Sequence, residues 1–195
     1  HGVWLTEADM DILAETGTMV CHNASSNLRL KSGVAPLNSM LAKGVTVAVG
    51  IDEAGINDDN DILQEMRLVH KIHRVPGVDS PSPTSHQVLH MATANGAKAT
   101  FFADRVGTQE PGKRADVVVL DMEHIEEPYL DSNTNPVDAL LYRGRGAGVN
   151  TVVVDGEVLL RDRQLTRVNK AAVWAELKGR LAKDLAPHEL ERKEI

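Results

Sequence analysis

An apolar, β-branched segment that ends abruptly in acidic residues constrains the fold of this chain more than any other feature. Residues 45–51 read VTVAVGI, and Asp52 and Glu53 follow directly. Apolar residues on both faces are typical of a strand in a parallel sheet that is covered on both sides. In α/β barrels the loops after such strands carry the chemistry, and an Asp at this place is typical of a catalytic residue. A strand followed by a solvated acidic turn is the other interpretation of the same residues.

Helical and strand-like segments alternate on both sides of this strand. Helices are predicted at 6–17, 36–43, 59–73 and 84–100, and the strands among them at 18–21 and 45–51. The earlier strand brings His22 to its carboxyl end, just as the later one brings Asp52. Helices and strands in this order predict parallel strands covered by helices, which is an α/β fold.

The pattern changes near residue 104. Strands are predicted at 115–121, 149–155 and 157–161, a closing amphipathic helix at 170–185, and either a strand or a helix at 137–143. Asp155-Gly156 joins two of these strands, and this dipeptide is typical of a tight hairpin turn. The sequence therefore predicts β/α units over residues 1–103 and a small β-rich module over residues 104–195.

Composition excludes several classes of protein. The net charge of −7 argues against nucleic acid and anionic membrane as partners. No apolar run reaches the roughly 18–20 residues that a membrane span needs. Cys21 is the only cysteine, so no intramolecular disulfide is possible. A reducing compartment suits such a chain, and we expect a cytoplasmic protein.

Histidine and aspartate at strand ends are the side chains that a hydrolytic metal site needs. His1, His22 and Asp52 are the candidates, with His1 placed where a preceding strand would end. Imidazole and carboxylate bind Zn²⁺ or Fe²⁺ well, and a carboxylate beside a bound water can also move its proton. Spacing alone leaves an ordinary structural role open, because a chain with eight histidines offers many such pairs.

Two further histidine pairs have helical spacing, namely His70 with His73 and His86 with His90. No Glu follows His86 directly, so the helix pattern of zinc proteases is missing. A structural role is therefore the interpretation that we prefer for both pairs.

Several collinear segments resemble the amidohydrolase superfamily. They are HGVWLTEADMDILAETGTMVCHNASSNLRLKSGVAPLNSMLAKGVTVAVGIDEAGIND at 1–58, EMRL at 65–68, TANGAKA at 93–99, EPGKRADVVVLD at 110–121 and VNTVVVDGEVLLRD at 149–162. The resemblance is closest to the branch of cytosine- and guanine-deaminase-like enzymes, S-adenosylhomocysteine/methylthioadenosine deaminases and triazine chlorohydrolases.

The resemblance implies a fold. Members of this family have a distorted (β/α)₈ barrel joined to a small β-sandwich that both chain ends build. This chain would hold the carboxyl-terminal part, namely barrel strands six to eight with their helices and its share of the sandwich. The other half of the barrel, with the remaining metal ligands, would be missing from these 195 residues.

The resemblance also implies roles for individual residues. His1 would end strand six and lie at the metal, and Asp52 would end strand eight as a metal ligand that carries a proton from water to the leaving group. His22 matches a His-Asn-x-x-Ser-Asn motif that includes Ser26 and Asn27. His22 and Asn27 would contact the substrate, and bracing of the loop is the other possible role of His22. The cofactor would be one divalent metal, zinc or alternatively iron.

The implied activity is metal-dependent hydrolysis at an sp² carbon of a nitrogen heterocycle, with ammonia or chloride leaving. The family's common Thr-Asp-Gly is Ile51-Asp52-Glu53 here, which affects the choice of substrate more than the type of reaction. The expected partners are a small heterocyclic substrate, the amino-terminal half of the protein and further copies in a homo-oligomer. The alternative is an inactive fragment or pseudo-enzyme that serves only in association.

Overall fold

The computed structural model describes residues 1–53, 55–56, 59–77 and 82–185. The helices are α1 (Glu7–Thr16), α2 (Ala24–Arg29), α3 (Leu37–Ala42), α4 (Ile62–Ile72), α5 (Ser85–Ala92), α6 (Ala94–Ala99), α7 (Glu123–Glu126), α8 (Pro136–Arg143) and α9 (Lys170–Leu185). The strands are β1 (Val20–His22), β2 (Val47–Val49), β3 (Val117–Leu120), β4 (Val149–Val154), β5 (Glu157–Arg161) and β6 (Gln164–Leu165). A 3₁₀ turn, Gly146–Gly148, follows α8.

Strands β1 and β2 pair in parallel. Val20 lies opposite Val47 and His22 lies opposite Val49, so the carboxyl ends of both strands lie at the same edge. All three residues of β2 are buried, which confirms the prediction of a strand that is apolar on both faces. Helices α5 and α6 pack against β2, as expected of a parallel strand covered by helices.

Local sequence signals place the ends of α1 correctly. The Thr6 hydroxyl accepts from the Asp9 backbone N–H, and the Asp9 side chain accepts from the Thr6 N–H, which completes the capping box. Gly17 ends the helix with a left-handed φ of 66°. The helix predicted at these residues is therefore confirmed at both ends.

The single helix predicted at 84–100 is wrong, because the chain breaks it into α5 and α6. Thr93 stands between the two with φ −118° and ψ −88°, which is not helical. Beyond the break, the Asn95 side chain donates to the carbonyl oxygen of Val47 at 2.8 Å. The break thus turns an amide of α6 toward a backbone acceptor of β2.

In the described residues, β3, β4, β5 and β6 form an antiparallel sheet in that order. Asp155 and Gly156 connect β4 to β5, which confirms the predicted hairpin. Residues 137–143 are helical, so the open choice at that segment resolves to α8. The predicted closing helix is confirmed as α9. Among the residues that the structure describes, no helix combines the length and the apolar character that crossing a bilayer requires.

Helix α8 attaches the later part of the chain to the helices before residue 104. The Leu141 side chain is 1% exposed and packs in the same apolar core as Met66 and Val69 of α4. The Arg67 guanidinium donates to the carbonyl oxygens of Leu141, at 3.0 Å, and Gly144. These contacts fix α4 against α8, while a domain boundary near residue 104 stays a prediction.

A buried pair of imidazoles joins the end of β1 to the end of α4. His22 Nε2 lies 2.9 Å from His73 Nε2, and both side chains are buried. The pKa of each ring is lowered to about 4, mainly by burial, and for His22 the neighbouring His73 contributes to the same decrease. Both rings are therefore neutral near pH 7, and one donates its Nε2–H to the other.

We predict that Leu141→Ala lowers the free energy of unfolding by about 2–5 kcal/mol, because it removes apolar volume from the core that α4 and α8 share. Urea unfolding followed by circular dichroism measures the change. Leu181→Ala is the matched control, since that leucine is 44% exposed on α9. A loss at Leu141 no larger than the loss at Leu181 would contradict the packing described for α8.

We predict that the protein loses stability as the pH is lowered from about 6.5 to 4, the interval between the ordinary and the lowered pKa of His22 and His73. The unfolded chain binds more protons than the folded chain in this interval, so the free energy of unfolding rises with pH there and is highest above it. Urea midpoints measured from pH 7.5 to pH 4 test this.

The glutamine variant His73→Gln can still hydrogen-bond His22 but does not titrate. We expect this variant to have a smaller slope of the free energy of unfolding against pH, with the decrease corresponding to at most one proton. His90→Gln, which removes an exposed imidazole from α5, is the control. Equal slopes in the wild-type chain and His73→Gln would show that the pair does not titrate in this way.

Candidate active site

The parallel pairing brings the loops after β1 and β2 together. Beyond the last paired residues, the Gly50 N–H still donates to the carbonyl oxygen of His22 at 3.1 Å. A Cβ at residue 50 would lie 2.5 Å from Asn23 Oδ1 and 2.8 Å from Cys21 Sγ. A side chain at residue 50 would therefore require the side chains of Asn23 and Cys21 to move, and Asp52 follows two residues later.

Asp52 is held in an unusual conformation at this edge. Its φ is 63°, in the left-handed region of backbone conformation that residues other than glycine rarely adopt. The Ser26 hydroxyl donates to Asp52 Oδ2 at 2.6 Å. His1 Nε2 lies 3.3 Å from the same oxygen, and the Asp52 side chain is 28% exposed. A strained backbone that its surroundings hold in place is characteristic of functional sites.

Asn27 fixes the orientation and the tautomer of His1. His1 Nδ1 lies 2.8 Å from Asn27 Oδ1, so Nδ1–H donates to this amide oxygen. In a neutral ring Nε2 then carries the lone pair, and Nε2 is the atom that faces Asp52. Metal-binding histidines usually have this arrangement: one ring nitrogen donates a hydrogen bond that orients the ring, and the other nitrogen presents its lone pair to the metal.

The donor atoms of His1 and Asp52 fit a shared cation. Both are acceptors, and two acceptors 3.3 Å apart repel unless a proton or a metal ion lies between them. Two ligands of a tetrahedral zinc ion, each about 2.0–2.2 Å from the metal, lie about 3.3–3.5 Å from one another. Over the described parts of the chain, no group of three or more His, Cys, Asp or Glu side chains converges. In the described residues, a metal ion at this place would therefore find two ligands, His1 and Asp52.

Helix α2 supplies both hydrogen bonds to this pair. Ser26 and Asn27 are neighbours in α2, and both are buried, with 0% and 2% of their surface exposed. The periodicity of apolar residues did not predict this helix, because it spans only Ala24–Arg29. The signal that could have found it is the run of Asn and Ser residues after β1, since these residues favour the first turn of a helix.

His22, the other candidate from the sequence, is buried at 1% exposure, and its Nε2 contacts His73. The structure thus brings His1, Asp52, Ser26 and Asn27 together, and it pairs His22 with the end of α4. Sequence reasoning gave no role to Glu65, which lies on α4 and accepts a hydrogen bond from the Ser25 N–H at 3.0 Å.

Comparison with known proteins identifies relatives. The model of the amidohydrolase family matches residues 1–159. The 5-methylthioadenosine/S-adenosylhomocysteine deaminase of Desulforudis audaxviator is 42% identical over 173 residues, which are 89% of this chain and 40% of that enzyme. The 5'-deoxyadenosine deaminase of Methanothermobacter thermautotrophicus is 40% identical over 165 residues, 85% of this chain and 38% of that enzyme.

Solved structures share the same fold. An adenosine deaminase from Xanthomonas campestris with bound zinc superposes with a TM-score of 0.87 at 30% identity, over 96% of this chain and 42% of that one. An atrazine chlorohydrolase from Arthrobacter aurescens with zinc gives a TM-score of 0.83 at 24% identity, over 92% of this chain and 39% of that one. The second likeness concerns the fold alone.

The chain spans about two fifths of the length of these curated relatives, 40% in the Desulforudis enzyme. The family model covers residues 1–159, which include His1, Asp52 and the two side chains that bind them. The mixed α/β fold agrees with the barrel-based structures of the same family. This chain therefore belongs to the amidohydrolase family.

Proposed function

We propose that residues 1–195 are the carboxyl-terminal part of a metal-dependent aminohydrolase that removes ammonia from a purine nucleoside. The observation that supports this most is the convergence of His1 Nε2 on Asp52 Oδ2 at 3.3 Å, at the carboxyl edge of two parallel strands. The deaminase relatives support an adenosine-like substrate over a chlorinated triazine.

We place this chain at barrel strands six to eight, with residues 1–103 in the barrel and residues 104–195 in the small β-rich domain. The supporting facts are the coverage of the relatives by only two fifths and the change from parallel to antiparallel pairing along the chain. The remaining half of the barrel would supply further ligands. A homo-oligomeric state and a cytoplasmic location stay predictions from the sequence.

His1 and Asp52 would hold one divalent metal. Imidazole nitrogen with carboxylate oxygen suits zinc, and iron is the alternative because the same donors accept it. Such a metal supplies a water whose pKa is low enough for hydrolysis near neutral pH.

Asp52 would move the proton. Its carboxylate takes a proton from the attacking water as the new C–O bond forms, and passes it to the amino nitrogen as the C–N bond breaks and ammonia leaves. The Ser26 hydroxyl, 2.6 Å from Oδ2, holds the carboxylate in one orientation during both transfers. The constrained backbone of Asp52, at φ 63°, also limits rotation of this carboxylate away from that orientation.

His1 would orient the water and stabilise the charge that develops as it attacks. The Asn27 oxygen fixes the ring through Nδ1, so Nε2 stays directed at the reacting side. His22 would brace the loop between β1 and α2, because its ring is buried and its Nε2 is engaged by His73. Asn27, predicted from the sequence to contact substrate, would act through His1.

The alternative from the sequence, an inactive fragment or pseudo-enzyme, differs from this proposal in one measurable respect. An enzyme needs Asp52 for turnover, whereas a protein that serves only in association does not.

We predict that Asp52→Asn lowers kcat/KM for deamination of a purine nucleoside by about 10²–10⁴-fold, because the amide cannot accept or carry the proton. Ammonia release is measured with the complete polypeptide that contains this chain, in the presence of Zn²⁺. Glu15→Gln is the control, since it removes an exposed carboxylate on α1. If Asp52→Asn kept full activity, the mechanism would be wrong.

A further inference from the structure

Glu65 is a buried carboxylate to which neither the sequence nor the proposed mechanism assigns a role. It belongs to the EMRL segment on α4, and its residue is 1% exposed. Glutamate is almost never fully buried without a partner, because removing its charge from water costs free energy that a hydrogen bond must offset. The identity of that partner indicates what the residue does.

The partner is the first turn of α2. Glu65 Oε1 accepts a hydrogen bond from the Ser25 backbone N–H at 3.0 Å. The first N–H groups of any helix lack partners within the helix, and a side chain at the N-cap usually binds one of them. Asn23, the N-cap of α2, makes no such side-chain bond. Glu65 therefore does from another helix what the N-cap residue does not.

The two residues after Ser25 are Ser26 and Asn27, which bind Asp52 and His1 at 2.6 Å and 2.8 Å. A helix of six residues has little stability of its own, so its first turn depends on outside contacts. Movement of that turn would displace both hydrogen-bond donor and acceptor at the candidate active site. Glu65 limits this movement.

Helix α4, which carries Glu65, is itself held by hydrogen bonds to other parts of the chain. The Asp61 carboxylate caps its amino end, where it accepts from the Leu63 N–H at 2.9 Å, and also accepts from the Gly146 N–H at 2.8 Å. Arg67 of the same EMRL segment donates to the carbonyl oxygens at the end of α8. Glu65 thus extends from a helix that is fixed at both of these points.

We propose that Glu65 is a positioning residue that holds α2, and through Ser26 and Asn27 sets the positions of Asp52 and His1. The proposal rests on the function proposed above, since it assigns Glu65 to the support of that site. It concerns a hydrogen-bond acceptor, so an uncharged acceptor of the same shape should replace it.

The test compares Glu65→Met with Glu65→Gln in the complete polypeptide. Methionine fills the volume and removes the acceptor, whereas glutamine keeps an amide oxygen for the Ser25 N–H. We expect Glu65→Met to lower both Zn²⁺ affinity, measured by chelator competition, and kcat by about 10–100-fold, the usual cost of losing support behind a metal ligand. Glu65→Gln should stay close to wild type, and KM should change little in either variant. Gln64→Ala, at an exposed neighbour on α4, is the control.

Two further measurements separate positioning from general stability. Hydrogen exchange at the Ser25 amide should accelerate in Glu65→Met and not in Glu65→Gln. In a Ser26→Ala background Glu65→Met should cost less than it does alone, because part of the effect of Glu65 passes through the contact of Ser26 with Asp52. Multiplicative losses in the double variant would contradict the proposal, as would a Glu65→Gln variant as impaired as Glu65→Met.

Failure of the two proposals can be told apart. If the wild-type polypeptide deaminates no purine nucleoside, the proposed function falls, while Zn²⁺ affinity and exchange of the Ser25 amide still decide the role of Glu65. If Asp52→Asn abolishes activity but a folded Glu65→Met variant keeps Zn²⁺ affinity and kcat within twofold of wild type, the proposal for Glu65 alone is overturned.

Discussion

The contacts of Asp52 with Ser26 and His1 depend on the parallel pairing of β1 with β2. The register that sets His22 opposite Val49 brings the two following loops to one edge, where α2 can reach Asp52. A shift of one residue would turn the side chains of β2 to the opposite faces and carry Asp52 out of reach of Ser26. Gly50 leaves room at this edge for the side chains of Asn23 and Cys21, which a Cβ at residue 50 would displace.

Sequence signals that act over a few residues predicted local structure well. The buried strand at Val47–Val49, the capping box of α1 and the hairpin at Asp155-Gly156 each depend on neighbours along the chain. What the sequence did not reveal depends on distant partners. Asn95, just after the break at Thr93, bonds to a carbonyl 48 residues away, and Arg67 bonds to one 74 residues away, so the contacts of α6 and the place of α8 involve distant partners.

The candidate active site also combines features that the sequence revealed with features that only the folded chain shows. His1 and Asp52 were found through a family resemblance, and spacing alone left them among many histidine–aspartate pairs. Their separation of 3.3 Å and the hydrogen bonds from α2 follow from the folded chain only. Glu65 did carry a signal in the sequence: it lies four residues before Val69, on the inner face of α4, where a charge is out of place unless it has a partner.

The later part of the chain influences the site through α4. Leu141 packs in the core beside Met66, and Arg67 binds the carbonyl oxygens that end α8. Glu65 and Arg67 are two residues apart on one helix, so α4 contacts both α8 and the first turn of α2. On the proposal for Glu65, the described residues of α8 would support the candidate active site from a distance, because they hold the helix from which Glu65 extends.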